Sequence, residues 1–234
     1  MSAAWFHVPS LDEAGIVWIP KDEAKHALGA RRLGPGDAVT LFDGAGHLGA
    51  GVVTDQRRHD GALAIEVGAA TAAPRARPAV HLAVAIPKGD RSATLIESCM
   101  PFEPASITPL ACERSVQRMS ANLAARLDRI ALEACKQSRQ PWSCAIGTEV
   151  PPEVAVRAAQ GRALILHPGG TPLCEAARGL DAVTLLIGPE GGFSDREVAA
   201  CEAAGAVRVG LGAAILRIEL AASASMTVLR LGGA

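Results

Sequence analysis

Residues 185–222 constrain this chain more than any other stretch, reading LLIGPEGGFSDREVAACEAAGAVRVGLGAAILRIELAA. An apolar run, 183–188, ends in the turn Gly188-Pro189-Glu190-Gly191-Gly192. Ser194 followed three residues later by Glu197 is a capping-box signature, and Gly205 marks the C-terminal stop of the helix it starts. A second apolar run, 207–211, leads into a second glycine turn and a final helix predicted over 215–231. Two backbone-lined loops thus come off consecutive strands. Their position excludes two common nucleotide-binding designs. A dinucleotide fold carries its glycine loop after its first strand, and a P-loop needs Lys-Ser/Thr after its last glycine.

Upstream, from residue 80, strands and helices alternate. The continuous apolar runs 80–86, 107–112 and 163–167 fit strands buried on both faces. Between them, 120–139 places Leu123, Leu127, Ile130 and Ala134 on one helical face. Such alternation predicts a mainly parallel α/β sheet. Residues 1–72 read differently. Short strand-like pieces at 5–8, 15–19, 39–44, 49–54 and 62–67 are separated by Gly, Asp and Pro turns, with one helical stretch at 22–30. That cadence predicts a small β-barrel or compact β domain. The stretch 71–80, TAAPRARPAV, has a linker's composition. The expected division is therefore 1–72 and 73–234, within a length of 234 residues that suits one large domain or two small ones.

Charge and cysteine usage narrow the setting. The formal net charge is −1, so no global field announces nucleic acid. Lysines are few (Lys21, Lys25, Lys88 and Lys136) and the positive charge is mostly arginine, which suits planar contacts to phosphate and bases. Electrostatics alone leaves RNA binding undecided. The six cysteines show no metal-ligand spacing and read as small buried hydrophobes of a reduced protein. The first residues, MSAAWFHVPS, do not read as a signal peptide. No apolar run approaches the roughly 18 residues of a membrane helix. The expectation is a cytoplasmic protein without a metal or a membrane.

The strings GPEGGFS and LG..ILR.E, at 188–194 and 211–219, resemble the RsmE-type 16S ribosomal RNA uracil-N3 methyltransferases of the SPOUT superfamily. Residues 25–44, KHALGARRLGPGDAVTLFDG, resemble that family's N-terminal module, and 87–91, 107–110, 113–115 and 133–138 follow its pattern too. The resemblance implies a PUA-like RNA-binding barrel, then a SPOUT domain whose last third forms a deep trefoil knot. It further implies S-adenosyl-L-methionine as methyl donor, 16S ribosomal RNA or the small ribosomal subunit as partner, and a homodimer paired through the knotted domains.

Glycines at strand ends let main-chain groups reach a ligand with no Cβ in the way. The donor pocket is accordingly expected between Leu166-His167-Pro168, Gly188-Pro189-Glu190-Gly191-Gly192 and a third loop carrying Leu211, Gly212, Ile215 and Leu216. A side chain at Gly191 should fall where ligand or tight backbone belongs. Arg217 and Glu219, expected on the last helix, match the family's Arg and Glu. An arginine there would stabilise the charge left on uracil when its N3 proton leaves, and a carboxylate would accept that proton or orient the base. Glu190 is the other candidate acceptor. Arg31, Arg32 and Arg91 are the expected RNA contacts. The chain departs from the family at Ala213-Ala214, Ile218 and Leu220, where relatives carry an arginine and hydroxyls. A catalytically weak RNA-binding paralogue, or a SPOUT enzyme with another RNA target, is the alternative.

Overall fold

The computed structural model describes residues 3–11, 14–30 and 32–231. The chain forms two units: Met1–Arg75 with Cys135–Ser143, and Ala76–Ala134 with Cys144–Ala234.

In the first unit the strands are β1 (Ala4–His7), β2 (Gly15–Ile19), β3 (Ala38–Phe42), β4 (His47–Arg57), β5 (Leu63–Val67) and β6 (Thr71–Ala72). They pair in the order β1-β3-β4-β5-β2, with β6 on the start of β4. Helix α1 (Lys21–Lys25) runs on into a π-helical turn, His26–Ala30. Alternation along β4 sets the register. Gly49, Gly51 and Val53 face inward, and a Cβ at either glycine would collide with Val67 or Ile65 of β5. These two side chains fill the space instead, joining Phe6, Ile19 and Leu41 in the core.

Two features of this unit differ from the sequence expectation. Thr71 and Ala72 extend the sheet, although their composition reads as linker. Residues 135–143 also belong here rather than with the second unit. The reason is packing. Gly46 has no side chain, and the Trp142 ring occupies the place where one would stand. Arg75 stacks on Trp142 at 4.1 Å, Ser143 N–H donates to Gly44 O at 2.8 Å, and Lys136 pairs with Glu23.

The second unit alternates as its apolar runs predict. Its elements are β7 (Ala79–Val84), α2 (Arg91–Cys99), β8 (Ser106–Pro109), α3 (Ala121–Ser138), α4 (Pro152–Arg157), β9 (Arg162–Pro172), α5 (Leu173–Ala176), β10 (Ala182–Ile187), α6 (Asp195–Ala203), β11 (Val207–Gly210) and α7 (Ile218–Leu231). The last residues of α3 are those counted with the first unit. The strands are all parallel, in the order β11-β9-β10-β7-β8. Central β10 is buried over Val183–Ile187, and α7 packs on α2. Cys99, Cys112, Cys135 and Cys201 are buried. Desolvation pushes their thiols up to about 12, 12, 11 and 11 respectively, which keeps them as inert hydrophobes. Cys144 is half-buried and Cys174 exposed.

Candidate active site

The site lies at the carboxyl ends of three adjacent strands, where parallel sheets place their ligands. Strand β9 does not simply stop at His167. It pairs with β11 through Leu164 and Ile165, leaves the ladder, and rejoins it at Thr171 and Pro172. The intervening residues 166–170 form a detour beside β11. Gly170 permits it, because a Cβ there would sit 2.6 Å from the Val209 backbone. His167 closes the detour locally, its Nδ1 lying 2.8 Å from Pro168 O.

Beside it, β10 delivers Gly188-Pro189-Glu190-Gly191-Gly192. Gly192 takes φ +67°, a conformation that favours glycine. Gly188 lies so close to the Phe193 ring that a Cβ would stand 3.0 Å from it. The capping box then starts α6: Ser194 accepts from Glu197 N–H at 3.2 Å, and Glu197 Oε2 accepts from Ser194 N–H at 2.8 Å. The loop after β11 supplies the last wall, within 211–216, with Gly212 at φ +102° and open space around it.

This wall corrects the sequence reading. The final helix begins at Ile218, not at residue 215. Arg217 O accepts the Ala221 N–H at 2.8 Å, the first bond of the helical ladder, so Arg217 flanks the helix start and 215–216 stay in the loop. Ile215, expected on the helix, is 93% exposed.

Together the three loops enclose a cavity of ≈ 430 Å³, within the range of about 300–1,000 Å³ usual for small-molecule sites. Leu166, His167 and Pro168 line it from β9, all five residues 188–192 from β10, and Leu211, Gly212, Ile215 and Leu216 from β11. The structure therefore brings together every residue expected at the donor pocket. Ile187, Phe193, Ile218 and Ala221 add apolar surface, and Arg114 and Asp195 add charge.

Other expected site residues lie differently. Arg217 and Glu219 are not on the cavity wall, though Leu216, Ile218 and Ala221 around them are. Arg217 is exposed, and its guanidinium has no partner among the described residues. Glu219 is half-buried, with an Oε2 that is shut from solvent and unpaired among the described residues. Arg91 pairs with Glu190 at 2.7 Å, so one expected RNA contact is engaged with the cavity's own carboxylate. Arg32 is exposed in the first unit at φ +53°; Arg31 lies outside the described residues. At Gly191 an added Cβ would meet the aliphatic stem of Arg114 at 3.3 Å rather than backbone.

Arg114 is the residue the sequence reading undervalued. It stands in the string Glu113-Arg114-Ser115, whose only signal was its agreement with the family pattern. Its Nη1 donates to Gly191 O at 2.8 Å and to Phe193 O at 3.3 Å. Glu113 N–H donates to Glu197 Oε1 at 2.8 Å, and Arg196 Nε donates to Glu113 Oε1 at 2.7 Å. The Ser194 and Arg196 side chains hold the Glu113 carboxyl below its ordinary range.

The chain thus carries a small β unit and a parallel α/β unit whose glycine-bearing strand ends surround one cavity. Residues 74–230 match the RNA methyltransferase domain family, and 19–59 match the RNA methyltransferase PUA domain. The chain is 34% identical to ribosomal RNA small subunit methyltransferase E of Mycobacterium bovis, over 97% of its own length and 90% of that relative. A Legionella pneumophila protein described as a methyltransferase, solved with its bound cofactor SAM, superposes with TM-score 0.88 at 26% identity over 100% of this chain and 99% of that one. Ribosomal RNA small subunit methyltransferase E of Neisseria gonorrhoeae, bound to S-adenosyl methionine, shares the fold with TM-score 0.90 at 24% identity, over 99% and 98%. The chain belongs to the family of ribosomal RNA small subunit methyltransferase E.

Proposed function

We propose that this protein transfers a methyl group from S-adenosyl-L-methionine to N3 of a uracil in 16S ribosomal RNA. The observation that carries the reading is the cavity of ≈ 430 Å³ walled by three strand-end loops, in a chain of this family. The wall fits the donor in kind. Gly192 and Gly212 leave backbone bare, while Leu211, Ile215 and Leu216 offer apolar surface for an adenine ring.

The donor, when bound, supplies a sulfonium-activated methyl group. Main-chain groups of 188–192 and 211–216 hold its adenine edge and ribose, and Leu166, His167 and Pro168 close the third side. Arg217 stands at the end of the last loop, without a side-chain partner among the described residues. It stabilises the negative charge that spreads over the uracil oxygens as the N3 proton departs. Glu219, close by on α7, accepts that proton or orients the base; in the single chain its Oε2 is shut from solvent and unpaired among the described residues. Glu190, engaged by Arg91, serves that role less well.

The same reading extends to a trefoil knot in the last third of the chain, a barrel in the first unit and action in the cytoplasm. Arg32, Arg91 and Arg31 contribute RNA contacts. Two copies pair through the second unit, burying Ile215, Leu220 and Leu231, which are 93%, 53% and 73% exposed in the single chain. Sedimentation equilibrium should give twice the chain mass; one chain mass at all concentrations would overturn the pairing.

Isothermal titration calorimetry with S-adenosyl-L-methionine, followed by methylation of 16S ribosomal RNA and of small subunits, tests the activity. Donor binding with 3-methyluridine as product is expected. Donor binding with a different methylated nucleoside would keep the pocket and overturn the target.

A further inference from the structure

We propose that Arg114 is a positioning residue that holds the glycine loop 188–193 in the shape that receives the donor. This rests on the donor-pocket reading above. The argument begins with topology. In the sheet order, β8 is the edge strand and β10 is central, with β7 between them. The loop after β8 must therefore reach across the end of β7 to touch the loop after β10. It does so with four bonds. Arg114 donates to the carbonyls of Gly191 and Phe193, Glu113 N–H donates to Glu197, and Arg196 donates to Glu113.

These bonds fall where the glycine loop is least constrained by anything else. Gly191 and Gly192 have no side chains to pack, and both are exposed. Within the loop, Gly192 N–H donates to Pro189 O at 2.8 Å. Glycines carry the largest conformational entropy to be lost on ordering. A charged group whose Nη1 bonds two carbonyls of the segment removes that freedom before a ligand arrives. The stem of Arg114 also lies along Gly191, within 3.4 Å of the place a Cβ would take. The contact therefore sets both the direction of the carbonyls and the position of the chain.

Glu197 ties the device to α6. One carboxylate oxygen caps the helix through Ser194 N–H, and the other takes Glu113 N–H. The β8 loop, the glycine loop and the helix start are thereby fixed to one buried carboxylate. Arg114 also lines the cavity; its hold on the donor site is exerted through the loop, and it takes no part in proton transfer.

The test uses the full chain, with Arg114→Ala and Arg114→Lys. Amide hydrogen exchange at Gly192, whose N–H donates to Pro189 O, reads the loop directly without donor. In Arg114→Ala it should quicken at least about tenfold, the loss of a charge-assisted bond, while amides of β7 and β10 keep their rates. S-Adenosyl-L-methionine affinity should fall at least about tenfold, and the single-turnover rate at saturating donor should stay within about threefold of the parent. Arg114→Lys should recover part of the protection and affinity, because an ammonium keeps the charge and donors but not the planar guanidinium geometry or its reach. Unchanged loop exchange in Arg114→Ala would overturn the proposal. So would normal affinity with a collapsed rate at saturation, which would make Arg114 a participant in the chemistry. Absence of donor binding by the parent chain would sink the donor-pocket reading, leaving loop exchange to decide the role of Arg114.

Discussion

At the scale of single residues, the site divides into groups already engaged and groups left free. Glu190, Glu197, Glu113 and Arg114 are all bonded within the second unit, so they shape the cavity. Arg217 is exposed and uncommitted among the described residues, and it follows directly on a cavity-lining loop. On the proposed function, a guanidinium so placed would meet an incoming uracil. Arg217→Ala should slow single-turnover methylation by a factor of about 10² to 10³ at saturating donor and RNA. Arg217→Lys should restore only part, having charge without the planar fork. A variant that binds RNA poorly but reacts at the normal rate once saturated would assign Arg217 to binding.

The same division explains what the residues disclosed beforehand. The glycine strings were legible because few arrangements besides a strand-end loop need GPEGG directly after an apolar run. Arg114 was not legible. Its importance comes from reaching across β7, and no local spacing records which strand lies between two others. The pairing of Arg91 with Glu190 was hidden for the same reason, since these residues are far apart in sequence and meet only through the parallel order.

At the scale of elements, the apolar runs located the strands of the second unit to within a few residues, and Ser194 with Glu197 located the start of α6. Two boundaries departed from the pattern, and both lie at the cavity. Helix α7 starts three residues later than its apolar content predicts, because Ile215 and Leu216 serve the cavity and its rim instead of a helical stripe. Strand β9 runs on past its apolar stretch through a detour that alternation cannot encode. That detour depends on Gly170. Gly170→Ala forces a Cβ against the β11 backbone, and overpacking of this kind costs about 1–3 kcal/mol. Urea unfolding should show that loss, together with weakened donor binding. Gly191→Ala, whose Cβ meets only a flexible side chain, should lose less stability. Equal losses in the two variants would contradict the account of the detour.

At the scale of the whole molecule, the two units should answer differently to acid. His7, in the first unit, has its pKa lowered from 6.5, chiefly by burial, with the Asp43 contact opposing. In the unfolded chain His7 takes up a proton more readily. Its contribution is therefore fully present above about pH 6.5 and lost as pH falls through that value toward the lowered one. Burial pushes the Asp43 carboxyl up, but the His47 side chain and the amides of Ala45 and His47 outweigh it and bring it below 3.8. That contribution is present above about pH 3.8 and lost below it. All three tryptophans, Trp5, Trp18 and Trp142, belong to the first unit, so their fluorescence reports on it selectively. The fluorescence-detected urea midpoint should fall between pH 7 and 5, and His7→Gln should flatten that fall. A midpoint that rises on acidification would contradict the burial of a neutral imidazole.

The division of the chain was partly legible at this scale. Composition separated a β-rich start from an α/β remainder. It could not show that 135–143 returns to the first unit, because that return is fixed by a tryptophan ring replacing a missing side chain at Gly46. The central claim concerns what the second unit does with its cavity. Nucleoside mass spectrometry of 16S ribosomal RNA from a strain lacking this gene, with and without a plasmid copy, tests it most directly. The account predicts loss of 3-methyluridine in the deletion, its return with the parent gene and little return with Arg217→Ala. Unchanged 3-methyluridine in the deletion strain would contradict it.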